Sequence, residues 1–87
     1  MKFEYEFRDE GPRRISFEYA SDAREQLKSA RDGDACVLYV NKAACCFLAK
    51  AFAKLALGSH APGFHFHLTE DLNAEKAEAL RIVLLGT

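Results

Sequence analysis

Residues 2–8 alternate strictly, with Phe3, Tyr5 and Phe7 on one side and Lys2, Glu4, Glu6 and Arg8 on the other. A period of two predicts a strand with one wet face. The turn-forming run Asp9-Glu10-Gly11-Pro12 follows, and alternation resumes with Ile15, Phe17 and Tyr19 against Arg14, Ser16 and Glu18. The pattern therefore predicts an N-terminal hairpin that buries its aromatic side. Ser21 or Asp22 is placed to cap a helix running to about Asp32, with Gly33 as its stop. Ala23, Leu27 and Ala30 give that helix only a narrow apolar stripe, so it is expected at the periphery.

The run from Ala35 to Val40 has no polar position and predicts a strand covered on both faces. Asn41 opens a second helix, from about Ala43 to Leu57, ended by Gly58. Cys45, Leu48, Phe52 and Leu55 trace its inward stripe, widened by Phe47, Ala51 and Leu57, while Lys50 and Lys54 mark its solvent side. After a turn at Ser59–Gly63, Phe64, Phe66 and Leu68 alternate with His65 and His67, which predicts a strand with both imidazoles on the open face. Thr69 to about Lys76 reads as an acidic connection, and Ala79–Leu85 as a final strand apolar on both faces apart from Arg81. The expected fold is a single α+β domain over residues 1–87, in the order β-β-α-β-α-β-β. Its sheet has about five mostly antiparallel strands, with two helices on one face.

Composition narrows the function classes. A chain of 87 residues holds one core, and 49% hydrophobic with 29% charged residues is an ordinary globular balance. Twelve basic against thirteen acidic residues leave a net charge of −1, which argues against nucleic acid or an anionic membrane as the partner. No apolar run approaches the ~20 residues of a membrane span, and the alternating charge of Met1-Lys2-Phe3-Glu4 does not suit a secretory segment. Cys36, Cys45 and Cys46 are badly spaced for disulfides and are expected as reduced, buried thiols in the cytoplasm. The glycines form no phosphate-binding loop.

Three side-chain sets have chemical potential. His65 and His67, two apart on a strand, are close enough to share a metal, with His60, Glu70 or Asp71 as conceivable third ligands. Two ligands are too few for a site, however, so the pair is assigned to a solvated or partner-facing surface. A Cys–His hydrolase assembled from Cys45 and His65 or His67 lacks an orienting acid, and Cys45 falls on the inward stripe; no catalytic residue and no cofactor is assigned. Glu70, Asp71, Glu75 and Glu78 form an acidic patch suited to a basic partner surface.

The segment Gly63-Phe64-His65-Phe66-His67-Leu68 resembles the Gly-aromatic-His-x-His-Leu strand of a family of small immunity proteins from bacterial polymorphic toxin systems. The apolar strand ending at Asn41, the Ala- and Leu-rich helix from Ala43 to Leu57 and the short apolar strand from Leu80 to Leu85 extend the likeness, although Lys42 stands where that family has a glycine. The resemblance implies a protein without enzymatic activity that binds and neutralises a cognate toxin domain. The expected contact surface includes His65, His67, Glu70 and Asp71. The alternatives are a homodimeric interaction module, favoured by the excess of apolar side chains on the second helix and last strand, and a His-x-His metal-binding module.

Overall fold

The computed structural model describes residues 1–19, 24–70 and 78–86. It contains β1 (Leu27–Asp32), β2 (Ala35–Val40), α1 (Lys42–Leu57), β3 (His65–Thr69) and β4 (Glu78–Val83). The strands form two separate antiparallel ribbons, β1–β2 and β3–β4. The expected five-stranded sheet with two helices is therefore incorrect: among the described residues there are four strands and one helix, still of the α+β class. Residues 21–23, the proposed start of the first helix, lie outside the described residues.

The helix expected up to Asp32 is replaced by β1. Asp32 pairs with Ala35, so Gly33 and Asp34 alone make the turn. Gly33 has φ +62, while no described non-glycine residue has a positive φ. A positive φ at only the first of two loop residues matches the type II′ turn, whose twist suits a hairpin. Leu27 and Ala30 fit a helical spacing, but a two-residue Gly-Asp loop beside an apolar strand favours cross-strand pairing.

The N-terminal alternation does not produce strands either. Several backbone groups at and after the turn bond elsewhere: the Ser16 amide donates to Glu10 at 2.6 Å, the Gly11 amide to Asp9 at 3.1 Å, and the Pro12 carbonyl accepts from the Ala61 amide at 3.0 Å. Groups satisfied in this way are not available to a ladder. The inward sense of the pattern nevertheless survives in part, since Tyr5, Phe7, Ile15 and Phe17 are half-buried whereas Phe3 and Tyr19 are exposed. Phe17 lies 5.1 Å from the ring of Phe47 and 5.1 Å from that of Phe66, joining residues 1–19 to the core.

Helix α1 is the common wall of the molecule. Ala44, Phe47, Leu48, Ala51 and Leu55 of α1 form one buried cluster with Leu27 of β1 and with Phe66 and Leu68 of β3. The buried face is turned from the expected one: Cys45, Phe52 and Leu57 are exposed, and Lys54 is buried. The cause is the N-terminal segment, which covers the side assigned to solvent. Lys54 Nζ donates to the Ser16 carbonyl at 2.7 Å, and Lys50 lies 3.6 Å from Glu18 and 5.4 Å from the Tyr5 ring centre. A buried ammonium requires such a partner. All three cysteines are exposed rather than buried. Strand β2 is not covered on both faces; only Val37 is half-buried, and Tyr39 keeps 59% of its surface open. No described helix is long and apolar enough to cross a membrane.

Asn41 joins the first ribbon to the helix. Its Oδ1 accepts from the Ala44 amide at 2.8 Å, which caps α1, and from the Gln26 amide at 3.2 Å. Its Nδ2 donates to the Arg24 carbonyl at 2.7 Å, and its own amide donates to the Gln26 carbonyl at 3.2 Å. Replacing Asn41 with Ala removes both the cap and the side-chain link to the segment entering β1, at an expected cost of about 2 kcal/mol. Urea denaturation should show Asn41→Asp, which keeps the acceptor and loses the donor, falling between wild type and Asn41→Ala.

Candidate functional site

Strand β3 begins after a loop that meets specific backbone demands. Gly63 has φ +85, a region that favours glycine. Its amide donates to the Leu84 carbonyl at 2.9 Å, and the Leu84 amide donates to the Phe64 carbonyl at 2.9 Å. Phe64 packs against the core and stacks on His60 with ring centres 4.6 Å apart. Phe66 and Leu68 are buried. Alternation then places His65 and His67 on the outer, exposed face, as the sequence pattern predicts.

The register builds a polar cluster on that face. His65 stands opposite Val83, and His67 opposite Arg81. The register shifts after Leu68: Thr69 pairs with Glu78 instead of Ala79, which makes Ala79 of β4 the extra, bulged residue. Regular alternation would turn Glu78 inward with Leu80 and Ile82; the extra residue turns it to the side of His67 and Arg81. Glu78 Oε2 lies 3.0 Å from His67 Nδ1, and Arg81 Nε donates to Glu78 Oε1 at 3.1 Å.

The same Arg81 Nε lies 3.2 Å from His67 Nδ1. One nitrogen cannot serve both neighbours in one protonation state. With a proton on Nδ1, His67 donates to Glu78; without it, Nδ1 accepts from Arg81. His65 has a different role: its Nδ1 donates to the Gly63 carbonyl at 3.2 Å, which leaves Nε2 as the acceptor nitrogen of the neutral ring. The two imidazoles meet edge to face with centres 5.3 Å apart.

The remaining candidates separate from this pair. His60 donates from Nε2 to the Arg14 carbonyl at 2.8 Å and lies under the N-terminal segment. The Glu70 carbonyl accepts from the Leu27 amide at 3.0 Å, so its backbone links β3 to β1 while its side chain is exposed. Asp71 and Glu75 lie outside the described residues. Among the described residues no three His, Cys, Asp or Glu side chains converge as metal ligands. The buried position expected for Cys45 is incorrect, and a cleft of about 340 Å³ beside the start of α1 is lined by Cys46, Tyr19, Glu18, Lys42 and Lys50 but by no described imidazole. The pairing of Arg81 with Glu78 and His67 was not foreseen. A single charged residue within an otherwise apolar strand was its available signal.

Among the described residues three carboxylates, the exposed Glu78 and Asp9 and the half-buried Glu10, are held below their usual range. Hydrogen bonding from Arg81, then from His67, lowers Glu78; the amides of Gly11 and Ser59 lower Asp9; the Ser16 hydroxyl lowers Glu10. A carboxylate with a depressed folded-state pKa contributes stability that is present above its unfolded value and lost as pH falls through the folded one. Stability should therefore decline as pH falls through the ordinary carboxylate range of ~4 and below it. Chemical denaturation across that range should give Glu78→Gln a shallower acid limb than wild type.

Comparison with protein-family models, with curated proteins and with solved structures gives no match to this chain.

Proposed function

We propose that the chain is a protein-binding domain without enzymatic activity and that the outer face of β3–β4 contacts its partner. One observation carries this reading: in the Gly63–Leu68 segment only the two histidines serve neither the core nor the positive-φ turn. Gly63 serves a positive φ, Phe64, Phe66 and Leu68 serve the core, and His65 and His67 point to solvent. Glu78 and Arg81 beside them supply both signs of charge in a held arrangement, which suits selection among partners. A cognate toxin domain, met in the cytoplasm, is the partner that the family resemblance implies.

The test compares wild type with the His65→Ala, His67→Ala double variant as immobilised bait in extract of the native host, followed by calorimetry on the purified captured protein. The double variant should bind at least tenfold more weakly, equivalent to about 1.4 kcal/mol, with thermal stability nearly unchanged because both side chains are exposed. Equal affinity of the two proteins would remove the histidines from the interface. Co-expression with the captured protein then tests neutralisation, with rescue of growth expected from wild type and reduced rescue from the double variant.

A further inference from the structure

Among the described residues, strand β2 pairs with β1 alone and presents an unpaired edge whose side chains are apolar on both faces. Leu38, Tyr39 and Val40 are exposed, as is Cys36. Natural edge strands are protected from pairing by an inserted lysine, a proline or a bulge. Ala35–Val40 contains no charged residue or proline, and its register with β1 runs without a shift. From this edge we propose that the chain forms a two-fold dimer by antiparallel pairing of β2 with β2 of a second copy, a surface distinct from the outer face of β3–β4.

The register follows from the backbone. The Asn41 amide turns toward β1, donating to the Gln26 carbonyl. Alternation then directs the N–H and C=O groups of Val40, Leu38 and Cys36 to the open edge. Antiparallel neighbours pair only edge-facing residue with edge-facing residue. Placing Leu38 on the two-fold axis opposes Leu38 to itself, Cys36 to Val40 and Val37 to Tyr39 of the second copy.

Charge selects this register over its neighbours. The strand is flanked by Asp34 on one side and Lys42 on the other, and both are exposed. With Leu38 on the axis, the strand ends bring Asp34, in the turn before β2, toward Lys42, at the start of α1, of the other copy. Sliding by two residues sets Asp34 against Val40, or Lys42 against Cys36, and a parallel arrangement sets like charges side by side. The chosen register matches apolar with apolar along β2 and brings acid near base at both ends, and this self-complementarity points to a second copy of this chain as the occupant.

The experiment is sedimentation velocity on the full chain from about 1 to 200 µM, where mass action exposes a dimer. Wild type should move toward twice the monomer mass as concentration rises. Leu38→Lys, which puts like charges on the axis at an exposed position, should remain monomeric throughout with an unchanged far-ultraviolet circular dichroism spectrum. Asp34→Lys and Lys42→Asp should each weaken the dimer about tenfold, and the two together should restore it. These charge variants decide the matter if Leu38→Lys fails to fold. A monomeric wild type at the highest concentration, a dimer indifferent to Leu38→Lys, or a double charge swap weaker than either single would overturn the proposal. Loss of partner capture by the histidine double variant with dimerisation intact would show that the two surfaces are independent.

Discussion

The junction at Asn41 organises the fold because one side chain satisfies groups that belong to two elements. The start of a helix leaves amides without partners, and a strand entering a ribbon needs its own main chain fixed. Asn41 meets both needs, through Ala44 on one side and through Gln26 and Arg24 on the other. This sets where α1 begins relative to β1, so that Leu27 joins the same buried cluster as Phe47 and Leu48. With α1 in place, β3 can pack Phe66 and Leu68 against it, and the opposite side of β3 becomes the histidine face. A side-chain cap also explains why Lys42 can occupy the first helical position: no positive φ is needed there.

The two ribbons differ in what their second faces do. In β3–β4, one face is core and the other is a bonded polar set of His67, Glu78 and Arg81. In β1–β2, the buried contribution is concentrated at Leu27, and β2 remains apolar in the open. The polar surface is suited to selectivity, because each charge has a neighbour that fixes its direction. The apolar surface is suited to adhesion. Having the two kinds of surface on separate ribbons allows one to be altered without rebuilding the other.

The elements legible in the sequence were those whose period had only one structural solution. The Lys42–Leu57 helix and the His65–Thr69 strand were readable within one residue at each end, and the outward aim of His65 and His67 followed from alternation. Positions 2–8 and 14–19 alternate as cleanly, yet the Gly11, Pro12, Arg14 and Ser16 backbone groups bond to side chains and a distant loop, which periodicity does not encode. The buried face of α1 was misjudged because a lysine counts as a solvent marker until a carbonyl, here that of Ser16, is found to receive it. Glu78 was visible as an acid but not as a neighbour of His67, since a bulge changes facing without changing composition. Leu27 and Ala30 fit either period, and only the Gly33-Asp34 turn favoured a strand.

Beside the Phe17 ring contacts and the Asp9 carboxylate, which accepts from the Ser59 amide, three carbonyls fasten the N-terminal segment to the body. Pro12, Arg14 and Ser16 are gripped by Ala61, His60 and Lys54, each through an oxygen that every amino acid carries. Attachment of this kind is indifferent to the identity of the side chain at the gripped position. The exposed side chains of Arg13 and Arg14 can therefore change while the carbonyls that seat the strap stay in place. That gives this protein a third patch whose chemistry can drift at little structural cost.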